Sequence, residues 1–173
     1  LGRIFASEIL NHAPTAKVIL LGRSPAPTSF GFENPNLIYK TVDLTAEDAI
    51  FDCIDQIRRE FGRIDGVLHS AGVLNDALIV NKSELSFKSV LAPKVVGAKH
   101  LINAIAPHTL DVFGSFSSGA GAFGNSGQID YAAANAWLGT ITKRNLSAQS
   151  QKLVTIHWPL WDEGGMRPSE YVV

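Results

Sequence analysis

Apolar stripes at helical spacing alternate along this chain with short, continuously apolar runs. From Arg3 to His12, Ile4, Phe5, Ile9 and Leu10 recur on one side, and the pattern stops near Pro14, which predicts a helix. "KVILLG" (17–22) is a run of strand-forming residues, of a length that suits a strand buried on both faces of a sheet. "RSPAPTSFGFENPN" (23–36) is rich in Pro, Ser and Gly and reads as loop. "LIYKTVDL" (37–44) predicts a second strand, and Thr45 then opens a helix that turns Ile50, Ile54, Ile57 and Phe61 inward. "IDGVLHSAGV" (64–73) is a third strand running into a glycine turn, and Ser89 to Ala106 a long helix. "DVFGSFSSGAG" (111–121) is a fourth strand, Gln128 to Leu146 a further helix, and "KLVTIHW" (152–158) a fifth strand.

Strand alternating with helix, each strand apolar throughout, predicts the α/β class: a doubly wound parallel sheet of Rossmann type covered on both faces by right-handed crossovers. Ligands in such folds bind beyond the carboxyl ends of the strands, so the loops after Leu21, Leu44, His69, Ser118 and Trp158 are expected to line one crevice. The length of 173 residues and 46% hydrophobic content suit one domain. A formal net charge of -1 gives no basic stripe, which argues against a nucleic-acid partner. No apolar run approaches the ~20 residues that span a bilayer, so no membrane partner is expected. The lone Cys53 excludes an internal disulfide framework and fits a reducing cytoplasm, and no two of the five histidines have metal-ligand spacing.

The expected strand ends carry the candidate chemistry. Arg23 and Ser24 follow the first strand, where a guanidinium forks two donors onto a phosphate and a hydroxyl adds a third. That set suits the ribose 2'-phosphate of NADP better than the bare diol of NAD, and a solvated surface arginine is the competing reading. Asp43 ends the second strand with Leu44 beside it, where the carboxylate either accepts from an adenine amino group or caps a turn. His69, Ser70, Ala71 and Gly72 follow the third, the small residues standing where backbone passes close to a ligand. For His69 itself, core packing competes with cofactor contact. Ser117 and Ser118 sit at the lip of the fourth strand, and neither has glycine at both i-2 and i+2, so a serine-hydrolase elbow is disfavoured.

Tyr131, at the start of "YAAANAW", lies 13 residues beyond Ser118, enough chain for both hydroxyls to enter one crevice. A free phenol titrates near ~10, so proton transfer near neutrality requires a cation close by. Asn135, one turn on, carries no charge. The best source is Lys94 in "LAPKVVGAKHL", an ammonium on an otherwise apolar stripe that either enters a polar cleft or snorkels to the surface.

"VDLT", "GVLHSAGV", "LAPKVVGAKHL", "FSSGAGAFGNSGQIDYAAANAWL" and "IHWPLWDEGGM" together resemble, in order and spacing, the ketoreductase domain of modular polyketide synthases, a branch of the short-chain dehydrogenase/reductases. In most of that superfamily lysine stands four residues after the tyrosine, with asparagine on the earlier helix; the polyketide branch exchanges the two, as do Asn135 and Lys94 here. The resemblance implies that NADPH delivers hydride to a β-keto carbon, with Tyr131 as proton donor and Ser118 hydrogen-bonded to the same oxygen. Lys94 would then lower the phenol's pKa and touch the nicotinamide ribose, with Asn135 positioning a water or the lysine. It also implies a thioester substrate on the phosphopantetheine arm of an acyl carrier protein, among other polyketide synthase domains.

"VLNDA" resembles the Leu-Asp-Asp stretch of B-type ketoreductases, keeping Asp76 but holding Asn75 in the middle. Phe123 stands where the A-type subgroup has tryptophan, so the D-configured β-hydroxy product is expected. Gln128, Trp158, Pro159 and Met166 join Asp76 and Phe123 as expected substrate-side residues, with Pro159 where many relatives have glycine and core packing an equal reading for the tryptophan. "LGRIF" looks like the end of the family's glycine-rich turn, of which only Gly2 is present. Residues 1–173 are therefore expected to be a catalytic domain fragment, lacking the family's first strand and its C-terminal end. Two competing readings stand beside reduction. Sugar-nucleotide epimerases or dehydratases would need lysine at Asn135, and a non-reducing scaffold or epimerising domain would be expected to lose Tyr131, Ser118 or Lys94.

Overall fold

The computed structural model describes residues 1–146 and 150–161. Helix α1 (Gly2–His12) buries Ala6 and Leu10 and leads into β1 (Val18–Gly22), which pairs in parallel with β2 (Leu37–Thr41). Helix α2 (Glu47–Phe61) buries Ile50, Cys53, Ile54 and Ile57 along one stripe, as its apolar spacing requires. Its start falls two residues later than Thr45, because Asp43 Oδ1 accepts from both the amide and the hydroxyl of Thr45, at 2.8 Å each, and holds that residue in a turn.

Strand β3 (Gly66–His69) pairs in parallel with β4 (Leu110–Ser118), which pairs in parallel with β5 (Ser150–Trp158). The long helix expected from Ser89 begins earlier, at Glu84, because the Ser83 hydroxyl caps it by accepting from the Ser86 amide at 3.1 Å. It runs as α3 (Glu84–Ala92), a π turn at Pro93–Gly97, and α4 (Ala98–Ile105). Pro93 has no amide hydrogen to give, so the α ladder breaks there and widens for one turn. A short helix, α5 (Gly119–Phe123), follows β4, and α6 (Ile129–Leu146) precedes β5.

Every described strand pairing is parallel, as the doubly wound α/β class demands, and the five described strands form two ladders, β1-β2 and β3-β4-β5. One core nonetheless joins both: Ile50, Ile54 and Ile57 of α2 meet Leu101, Ile102 and Ile105 of α4 and Phe113 of β4, with Ile19 and Leu21 of β1 packed on the edge. The expectation that each strand is buried on both faces holds best for β4. In β1 every residue is only half-buried, and in β3 Gly66 and Leu68 are exposed, because each of these strands has a single hydrogen-bonded neighbour among the described strands. No described helix is long and apolar enough to cross a membrane.

Candidate active site

The carboxyl ends of β3, β4 and β5 open on one cleft. Its walls include Ser70 after β3, Ser117 and Ser118 at the end of β4, Tyr131 in the first turn of α6, Lys94 in the π turn, and Trp158 and Pro159 at the end of β5. Leu1, Leu74, Phe116, Asn125, Gln128 and Trp161 also line it. The loops after Leu21 and Leu44 do not reach it, so three of the five strand ends expected to share a crevice do so.

Lys94 points inward. Its side chain is 3% exposed and its ammonium donates to the Phe116 carbonyl at 2.7 Å, so the snorkelling alternative is ruled out. Burial pulls the amine down from 10.5 to about 8, since an ammonium far from water loses hydration. The anchoring carbonyl belongs to β4, and a backbone role of this kind leaves no mark on the side chain that sequence reading could find.

Tyr131 shares a side-chain hydrogen bond with Ser118, so the two hydroxyls do meet. The phenol is raised above 10.0, first by burial and further by the Asp76 carboxylate, against the pull of its bonds to Ser118 and Asn135. A lowered phenol was expected. Desolvation outweighs the hydrogen bonds in this arrangement, and the charge that acts most on the phenol is a carboxylate. Asn135, 0% exposed, donates from Nδ2 to the Tyr131 carbonyl at 2.8 Å, and its Oδ1 has no partner among the described residues. Ser117 donates to the Asn135 carbonyl at 3.2 Å, tying β4 to α6.

His69 is 2% exposed at the end of β3 and bonds the Pro93 backbone through one ring nitrogen. Burial, reinforced by the Lys94 charge, lowers it to about 3, so it is a neutral ring braced against the π turn. Its Nε2 has no partner among the described residues.

The remaining candidates are dispersed. Arg23 and Ser24 are exposed beyond β1. The Asp43 carboxylate is pulled down chiefly by its bonds to Thr45, with a smaller contribution from Arg23. Leu44 packs against the core, and its carbonyl meets His100 Nδ1 at 3.2 Å. Ala71 and Gly72 are half-buried after β3. A Cβ built on Gly2 would stand 3.0 Å from Ser70 Oγ, so the backbone of α1 approaches the cleft closely at that point. Asp76 accepts from Gln128 Nε2 at 3.1 Å, and Phe123 is 92% exposed at the end of α5, outside the cleft lining. Met166 lies outside the described residues.

A parallel α/β fold whose strand ends gather serine, tyrosine and lysine in one cleft defines a short-chain dehydrogenase/reductase type of oxidoreductase. A family model described as KR domain matches residues 1–163. Polyketide synthase PksL of Bacillus subtilis (strain 168) is 40% identical over 96% of this chain, and polyketide synthase ThaG of Burkholderia thailandensis is 39% identical over 96%. The chain spans only 4% and 3% of those relatives' lengths. A crystal structure of a ketoreductase domain from the bacillaene assembly line superposes with a TM-score of 0.88 at 33% identity, over 98% of this chain and 43% of that one. This chain belongs to the ketoreductase domains of polyketide synthases, a family that works with a nicotinamide cofactor.

Proposed function

We propose that the protein reduces the β-keto group of an acyl thioester, held on the phosphopantetheine arm of an acyl carrier protein, to the D-β-hydroxy product with NADPH. The observation that carries this reading is the shared cleft: the Ser118–Tyr131 hydrogen bond and the buried Lys94 ammonium line the same walls.

The residues present fit a nicotinamide cofactor. Gly2 brings backbone to Ser70 where a side chain would intrude, and Asn135 Oδ1 and His69 Nε2 are buried polar atoms with no partner among the described residues. Ser70, Lys94 and Tyr131 would hold the nicotinamide ribose end, and Arg23, Ser24 and Asp43 the adenosine end. Arg23 and Ser24 supply the donors that prefer a 2'-phosphate. The cofactor supplies the hydride. Tyr131 gives its phenolic proton to the oxygen that becomes the hydroxyl, and Ser118 donates a hydrogen bond to that same oxygen as charge gathers on it. A raised phenol suits this direction, since it is fully protonated at neutral pH and loaded as an acid. Lys94 balances the phenolate left behind. Trp158 and Pro159 wall the acyl side, with Asp76 and Gln128 bordering the start of α6. The curated relatives are polyketide synthases, which supports a carrier domain and neighbouring synthase domains as partners.

NADPH oxidation by the full-length protein with a β-keto thioester surrogate tests the reading. Tyr131→Phe is expected to lower kcat by ~10²–10⁴-fold, the range for a lost general acid. Parental turnover in that variant would remove the proton-donor role, and absence of NADPH oxidation by the parent would favour a non-reducing domain. Chiral chromatography of the product is expected to show the D-alcohol, and a predominantly L-alcohol would overturn the stereochemical part.

A further inference from the structure

A buried charge pair lies beside the cleft and takes no part in the reaction described above. The side chains of Lys82 and Asp130 are 3% and 1% exposed, and Lys82 Nζ bonds Asp130 Oδ2 directly. The same ammonium donates to the Asn75 carbonyl, and the other Asp130 oxygen accepts the Tyr131 amide at 2.9 Å. Thus one cation grips the loop that carries Asp76, while its counter-ion grips the backbone of the proposed proton donor.

Two further bonds close the same seam. The Ala77 amide donates to the Gly127 carbonyl at 2.9 Å, and Gln128 Nε2 donates to Asp76 Oδ1 at 3.1 Å. Gln128 is held in turn by Asn125 Nδ2, which donates to its Oε1 at 3.1 Å.

A buried ion pair is a poor way to gain stability, because the desolvation of both groups largely cancels their attraction. What it enforces is geometry. Either charge alone is strongly disfavoured in a dry site, so the two elements separate only together with the loss of both partners. The Tyr131 amide is also one of the first amides of α6, which have no carbonyl within the helix to receive them, and Asp130 supplies that acceptor. The pair is therefore placed to fix where the first turn of α6 sits relative to residues 74–82.

We propose that the Lys82–Asp130 pair is a positioning device that locks the Asp76 loop onto the start of α6 and so sets the register between Asp76 and Tyr131. The kinetic consequence rests on the ketoreductase reading above, whereas the lock itself does not. Lys82 and Asp130 line no part of the cleft, so they act through their neighbours and not on substrate.

Hydrogen exchange and kinetics on the full-length protein test this together. In Lys82→Met, amide exchange is expected to rise about tenfold in both 74–82 and 127–135 while the β4 segment 110–118 stays protected, as for a local opening. Unchanged exchange in those two segments would overturn the lock whether or not the protein reduces anything. If the parent fails to oxidise NADPH with the surrogate, the functional reading falls and exchange alone decides the lock. In an active parent, Lys82→Met lowers kcat by about tenfold with the KM for NADPH within about twofold, as expected when a reacting group is misplaced without loss of cofactor contacts.

The double variant Lys82→Met/Asp130→Leu guards against a simple folding defect, since an apolar pair of similar size restores stability. Its leucine cannot accept the Tyr131 amide, so kcat is expected to remain about tenfold low even with a parental melting temperature. Parental kcat in the folded double variant would reduce the pair to packing and overturn the proposal.

Discussion

Lys94 is the residue in which burial and chemistry are most directly opposed. Its amine is lowered from 10.5 to about 8 by burial alone, which corresponds to about 3 kcal/mol of destabilisation carried by the folded protein at neutral pH. Lys94→Met is expected to raise the melting temperature at pH 7 while lowering kcat by ~10²-fold or more, a trade of activity for stability. The sign with pH follows from which state binds the proton. Below about 8 both the folded and unfolded parent are charged and the folded one bears the full desolvation; between about 8 and 10.5 the folded amine is neutral while the unfolded one keeps its proton. Parental stability should thus climb toward that of Lys94→Met across this window, as paired melts at several pH values would show. On the proposed mechanism the same titration predicts a falling alkaline limb in the rate of reduction near pH 8, because a neutral amine would no longer balance a Tyr131 phenolate. At this scale the candidacy of Lys94, Tyr131, Ser118 and Asn135 was legible in the sequence, but the electrostatic state of Tyr131 was not. Its burial and the approach of Asp76, 55 positions earlier, belong to the fold and have no local signal.

Element boundaries follow hydrogen-bonding details that hydrophobic spacing does not register. The helix before β4 starts at Glu84 because Ser83 caps it, and it bulges at Pro93–Gly97, the turn that contains the buried Lys94. Pro93 in the midst of a helical pattern was the visible sign of that bulge. Helices α5 and α6 meet so closely that a Cβ on Gly121 would lie 2.7 Å from Asn135 Cβ and 3.1 Å from the Ala136 amide nitrogen. Gly121→Ala is therefore expected to destabilise the protein by ~1–3 kcal/mol, the usual effect of overpacking, and to lower kcat by moving the Asn135 turn that carries Tyr131. Thermal melts with turnover measurements check it, and a silent substitution would show that the two helices separate freely. The Lys82–Asp130 contact spans 48 positions, and nothing in the local pattern of either segment announced it.

Across the whole molecule, α1 connects the two ladders. It packs on β1, and Phe5 stacks edge-on against Phe116 of β4 at 4.7 Å and Trp158 of β5 at 5.7 Å between ring centroids. Truncating a half-buried aromatic of this kind, as in Phe5→Ala, is expected to destabilise by about 2–3 kcal/mol, below the range for fully buried rings. Because Phe116 also supplies the carbonyl that holds Lys94, the same variant should lower turnover, and a melt paired with an activity assay reads both. The alternation of strand and helix was sufficient to place the chain in the parallel α/β class, yet it overstated the burial of β1 and β3, since an apolar run does not reveal how many neighbours a strand acquires.

The sequence by itself determined the alternation of the main strands and helices, the parallel α/β class and which residues were candidates for proton chemistry, while it read Gly119–Gly121 as strand where the short helix α5 begins. Those properties live in short-range periodicity and in residue identity, both of which can be read locally. Only the tertiary structure decided that Lys94 is buried against the Phe116 carbonyl, that burial holds the Tyr131 phenol up, and that Lys82 clasps Asp130. Each of these depends on desolvation and contact between segments far apart in the chain, and such effects exist only once the core has brought those segments together.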